Sequence, residues 1–103
     1  MIGIDIFKIN RLKGKNNKFL SKIFTQRELK EAKNNFYQKL AGKWAAKEAV
    51  FKAGFKYVNK EIEIITINNK PTAIHNHKNL NILLSISHEE EYAIAMAVNL
   101  NEK

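Results

Sequence analysis

The sequence predicts an α+β fold in which a long central helix packs on a mostly antiparallel sheet. Three observations carry this expectation. The stretch from Tyr37 to Phe55 holds five alanines and no proline, a strong helix-former. The residues after Glu61 are rich in β-branched residues and read as short strands. Helices come early and strands late, which favours antiparallel pairing between neighbours.

Ile2, Ile4 and Ile6 alternate with Gly3, Asp5 and Phe7, a strand that turns Asp5 away from the isoleucine face. Residues 8–22 read as a short helix broken around Gly14 to Asn17. Thr25, with Glu28 three residues on, is a capping box opening a helix to about Asn34. In the central helix, at about 100° per residue, Leu40, Trp44, Phe51 and Phe55 form one stripe. Ala46, Ala49, Val50 and Ala53 form another, so this helix is buried on two sides. Ile62 to Ile67 follows as a strand, Asn68-Asn69-Lys70-Pro71 as a turn, Thr72 to Ile74 as a short strand and Asn76 to Asn79 as a loop. Asn81 to Ser87 and Tyr92 to Val98 are strands of a hairpin turning at His88 to Glu91.

At 103 residues the expectation is one domain over residues 1–103, with a core modest enough to gain from an oligomer. The net charge of +8 is unevenly placed: Lys8, Arg11, Lys13, Lys15, Lys18 and Lys22 all precede Glu28, the first acid after Asp5. Such an arm attracts a polyanion, although a solvated lysine-rich face accounts for it equally well. A small RNA-binding module is one alternative, but the aromatics are not interleaved with lysines on a strand as a stacking platform requires. The absence of cysteine excludes a disulfide framework and a thiolate metal site. No apolar run approaches membrane-spanning length, and the opening residues, with Asp5 among them, are unlike a signal peptide. A cytoplasmic protein without a membrane partner is the default expectation.

Two carboxylates stand in mainly apolar elements. Asp5 lies in the first strand, and Glu48 projects only about 40° from Trp44 around the helix. A carboxylate there is costly unless a cation meets it, so Glu48 reads as half of a buried ion pair or as a ligand. Two arrangements serve: ion pairs Asp5–Arg11 and Glu48–Lys52, or a divalent cation such as Mg²⁺ shared by both acids. Lys47 and Lys52 flank Glu48, with Lys43 one turn earlier, either as helix pairs or as a clamp on phosphate oxygens. His88 falls at the hairpin turn, solvated or beside a ligand, with Ser87 able to donate a hydrogen bond. His75 and His77 would face one side of a strand, as zinc ligands do, yet lack a convincing third ligand. There is no glycine-rich phosphate loop, so phosphate binding would use lysines and a metal.

Four stretches carry a resemblance. Leu40-Ala41-Gly42-Lys43-Trp44-Ala45-Ala46-Lys47-Glu48-Ala49 resembles the signature helix of the holo-[acyl-carrier-protein] synthases, the small trimeric 4'-phosphopantetheinyl transferases. Ile2-Gly3-Ile4-Asp5-Ile6, Phe24-Thr25-Gln26-Arg27-Glu28-Leu29, and Ser85-Ile86-Ser87-His88 with Glu91-Tyr92-Ala93-Ile94-Ala95 resemble that family's first strand, helix start and C-terminal hairpin. The resemblance implies transfer of phosphopantetheine from coenzyme A to an acyl carrier protein. It implies Mg²⁺ held by Asp5 and Glu48, with Lys52 catalytic. Lys43, Lys47, Lys52, Ser87 and His88 would contact coenzyme A, and Arg11, Lys15, Lys18, Phe19 and Lys22 would dock the acidic carrier. It also implies a homotrimer with sites between subunits, the helix of Glu48 facing the neighbour's strands, and no nucleic acid partner.

Overall fold

The structure, a computed structural model, describes residues 1–101. Strand β1 (Ile2–Lys8) leads through a 3-10 turn (Ile9–Arg11) to three helices, α1 (Asn17–Ile23), α2 (Gln26–Glu31) and α3 (Phe36–Lys52). A second 3-10 turn (Asn59–Glu61) then opens the strands β2 (Glu63–Ile67), β3 (Lys70–His75), β4 (Lys78–Asn79), β5 (Ile82–His88) and β6 (Tyr92–Asn99). The α+β expectation holds, with all strands antiparallel, but the strands form two sheets rather than one. One has the order β1-β6-β5, the other β2-β3-β4.

Local chemistry explains the other differences. Between residues 8 and 22 the chain makes a 3-10 turn and then α1, whose first turn is capped when the Asn16 side chain accepts from the Phe19 N–H at 2.9 Å. The Thr25–Glu28 capping box is present, but α2 stops at Glu31, and Asn35, in the left-handed region at φ 58°, starts α3. Helix α3 ends at Lys52 because Gly54, at φ 114°, turns the chain out of the helix. Asn68 and Asn69, at φ 52° and 64°, make the β2–β3 turn alone, so β3 begins at Lys70. Asn76 and His77, at 51° and 64°, do the same, placing the short strand β4 in the expected loop.

Helix α3 lies across the inner face of β1-β6-β5. The alternation in β1 puts Gly3, Asp5 and Phe7 on that face and Ile2, Ile4 and Ile6 on the outside. Cross-strand register aligns Gly3 with Ala97, Asp5 with Ala95 and Phe7 with Ala93, so the sheet offers small side chains to the alanines of α3. The approach is close enough that a Cβ on Gly3 would stand 1.9 Å from the Ala49 carbonyl oxygen. On the helix's other side, Leu12, Leu20, Phe24, Leu40, Val50, Ile62 and Ile64 complete the core. The Phe7 ring stacks on Trp44 at 4.7 Å.

Candidate active site

Asp5 and Lys52 meet where β1 crosses the end of α3. The Lys52 ammonium donates to Asp5 Oδ1 and to the Ile4 carbonyl oxygen, each at 3.1 Å. The acid is mostly sheltered, at 17 % side-chain exposure, and the lysine half-exposed. The expected ion pairs are therefore rearranged, because Lys52 reaches across to β1 instead of back to Glu48, and Asp5 takes Lys52 rather than Arg11. Glu48 is exposed, which corrects the expectation of a buried carboxylate. From Leu40 onward helix α3 exposes only Glu48 and Lys52, which lie beside the half-buried Trp44 and Phe51. Residues four apart share a helix face, so Lys52 draws Asp5 to the face that Glu48 occupies.

Lys47 is not available as a phosphate ligand. It is 3 % exposed, and its ammonium donates to Glu28 Oε1 at 2.9 Å and to the carbonyl oxygens of Ile23, Asn59 and Ile62. Burial lowers its pKa below the ordinary lysine value, and the Glu28 carboxylate opposes that shift. Glu28, fully buried, also accepts from the Ile64 N–H at 2.7 Å. In the sequence Glu28 stands out as a cap and as part of the family-like helix start, not as a partner of Lys47. The missed signal was on the helical wheel, where Lys47 lies about 20° from Leu40, well inside the apolar arc.

Lys43 is likewise engaged, donating to Glu31 and, at 2.6 Å, to the Ile64 carbonyl oxygen. Burial works to raise the Glu31 pKa, but the hydrogen bonds from Lys43 and from the Thr66 N–H hold it below the usual carboxylate value. Lys43 and His88 line one cleft of about 200 Å³ with Lys39, Gly42 and Ile86. With Glu31 and the Ile64 carbonyl oxygen as its acceptors, the Lys43 ammonium keeps one proton for a further acceptor in the cleft. Ser87 does not share this cleft. Strand alternation turns it to the outer face of the sheet, in the row of Ile94 and Ile6, which removes it from the company of His88.

Three of the basic-arm residues come together. Arg11, Lys15 and Phe19 line a cavity of about 250 Å³ with Phe7 and Trp44, and the Arg11 guanidinium stands 4.4 Å over the Phe7 ring. Lys18 and Lys22, one turn apart on α1, are exposed. The zinc reading fails on geometry. His77 sits in the turn, while His75 stacks on Tyr57 at 3.8 Å and pairs its Nδ1 with the Glu61 carbonyl oxygen. Among the described residues no group of three or more histidines, cysteines or acids could hold a metal. Asp5 and Glu48 supply oxygen donors of the kind a hard divalent cation takes, which leaves its other ligands to water. Among the described residues no helix is long and apolar enough to cross a membrane.

The family model of the 4'-phosphopantetheinyl transferase superfamily matches residues 1–97, and the chain belongs to this superfamily. Within it, the chain is 39 % identical to the holo-[acyl-carrier-protein] synthase of Aquifex aeolicus, over 94 % of this chain and 95 % of that one. It is 40 % identical to the holo-[acyl-carrier-protein] synthase of Mycoplasma capricolum, over 94 % and 91 %. The fold matches the Helicobacter pylori holo-[acyl-carrier-protein] synthase in complex with coenzyme A, with a TM-score of 0.80 at 30 % identity over 95 % of this chain and 98 % of that one. The Bacillus anthracis synthase, in complex with coenzyme A (3',5'-ADP), gives 0.79 at 35 % identity, over 93 % and 91 %.

Proposed function

We propose that the chain is a holo-[acyl-carrier-protein] synthase, one transferase domain over residues 1–103. It moves the 4'-phosphopantetheine group from coenzyme A to a serine of an apo acyl carrier protein. The observation that carries this reading is the Asp5–Lys52 pair, 3.1 Å apart, on the face of α3 that bears the exposed Glu48. The relatives' shared name and the coenzyme A complexes of the structural neighbours support it.

The carrier's serine hydroxyl attacks the β-phosphate and gives up its proton to water, the bond to the α-phosphate oxygen breaks, and adenosine 3',5'-bisphosphate leaves. Asp5 and Glu48 would hold Mg²⁺, which supplies charge neutralisation on the diphosphate when bound. Lys52 is half-exposed and can turn its ammonium to a phosphate oxygen where negative charge grows. His88 and Lys43 offer the cleft beside β5 to the nucleotide end. Arg11, Lys15, Lys18, Lys22 and Phe19 form the docking surface for the acidic carrier. The cysteine-free chain suits a reducing cytoplasm. Active sites are completed between subunits of a homotrimer.

The test is incubation with apo carrier protein, coenzyme A and Mg²⁺, read by mass spectrometry. The carrier should gain one phosphopantetheine arm. Asp5→Ala and Glu48→Ala should each lower the rate by roughly two orders of magnitude or more while keeping the circular dichroism of the parent. Near-normal turnover in both variants at saturating Mg²⁺ would remove the metal assignment, and no mass gain with the parent would remove the function.

A further inference from the structure

Lys47 and Glu48 are neighbours on α3 with opposite surroundings. Glu48 is exposed, whereas Lys47 is 3 % exposed. The Lys47 ammonium has three protons to give. They are shared among Glu28 Oε1 at 2.9 Å and the carbonyl oxygens of Ile23 at 3.2 Å, Asn59 at 2.7 Å and Ile62 at 2.7 Å. These acceptors belong to different segments: the last residue of α1, the first turn of α2, the 3-10 turn after α3 and the residue entering β2. Glu28 spreads the connection further, accepting from the Thr25 N–H at 2.9 Å and the Ile64 N–H at 2.7 Å. One side chain thus ties α3, at the position beside Glu48, to the end of the helix that carries Lys18, Phe19 and Lys22.

A buried ion pair is poor ground for stability alone, because apolar residues of the same volume often serve as well. A cage addressed to four segments does something apolar packing does not, since each hydrogen bond fixes a direction. We propose that Lys47, acting through Glu28 and the Ile23 carbonyl, is a positioning residue that sets the docking helix α1 against the Glu48–Lys52 face of α3. The proposal rests on the transferase reading above. It makes the alignment of the carrier's serine depend on a residue that touches neither substrate.

The experiment compares Lys47→Met and Glu28→Gln with the parent, varying each substrate and counting functional sites by calorimetric binding of coenzyme A. Per binding site, kcat should fall and the carrier KM should rise, together about tenfold or more for Lys47→Met and less for Glu28→Gln, with coenzyme A affinity held within about twofold. Aminoethylation of Lys47→Cys, the sole thiol in a cysteine-free chain, restores an ammonium at that position. Performed on the unfolded chain before refolding, it should recover both constants. If Lys47→Met does not fold, Glu28→Gln decides. Unchanged kcat and carrier KM per site, with only a lowered melting temperature, would reduce Lys47 to a structural role and overturn the proposal. So would loss of coenzyme A affinity with carrier KM intact. No transfer by the parent itself would overturn the transferase reading, and this proposal with it.

Discussion

Glu31 shows how one side chain can shape a site from its edge. Its carboxylate accepts from Lys43 and, at 2.9 Å, from the Thr66 N–H. Burial raises its pKa and those hydrogen bonds lower it, with the lowering winning against the ordinary value of 4.5. A carboxyl whose folded pKa is depressed adds stability that is fully present above its unfolded value. That stability is lost as pH falls through the folded value. Glu31→Gln should therefore flatten the acid limb, with the melting temperature falling less steeply below pH 4.5 than in the parent. Thermal unfolding followed across that range checks this, and parallel acid limbs would show that Glu31 carries none of the pH dependence. Nothing in the sequence marks this contact. Glu31 and Lys43 are twelve residues apart on different helices, and only the tertiary placement of α2 beside α3 joins them. The candidate acids and Lys52 were legible because each is a charged residue in an otherwise apolar stretch. Their pairing was not, because charge alone does not say which cation an acid meets.

At the scale of the element, α3 was the most legible part of the chain, and its surroundings the least. Helix propensity and two apolar stripes announce it. The stripes do not distinguish contact with a sheet from contact with other helices, nor show that the small-residue side takes the closest approach. That approach has a measurable consequence at Gly3. An added Cβ would lie 1.9 Å from the Ala49 oxygen and 2.8 Å from the Ala53 nitrogen, both backbone atoms that cannot step aside. Gly3→Ala should force β1 and α3 apart and cost about 3 kcal/mol or more. Gly42→Ala should cost less, because its Cβ would meet only Ile86 Cγ2, at 2.9 Å, the end of a side chain. Urea unfolding of the two variants at one protein concentration checks the order, and equal costs would mean that the sheet accommodates the new methyl at Gly3. The β2–β3 turn is shorter than the sequence suggests, and β4 replaces an expected loop, for a different reason. Asn68, Asn69, Asn76 and His77 adopt positive φ in tight turns, where glycine is the usual signal.

At the scale of the molecule, the outer face of β1-β6-β5 has no cover among the described residues. Register stacks Ile2, Val98 and Leu83 in one row, Ile4, Met96 and Ser85 in the next, and Ile6, Ile94 and Ser87 in a third. Ile2, Ile4, Ile6 and Leu83 are each more than half exposed, and Ile94 and Met96 somewhat less. A contiguous apolar face of this kind marks an interface. The inner face of α3 is covered by its own sheet, the arc of Glu48 and Lys52 stays open, and the isoleucine side of β1 is a second open surface. The proposed trimer would therefore close through this sheet face, with the Glu48 arc of α3 at its rim. Ile4 lies in the middle row, and a carboxylate there would be buried unpaired in every subunit, which association cannot compensate. Ile4→Asp should shift light scattering at micromolar protein from trimer to monomer, leave the far-ultraviolet circular dichroism intact, and lose transfer activity if sites are completed between subunits. A variant that remains trimeric would place the interface elsewhere, and a fully active monomeric parent would show that one chain holds a whole site.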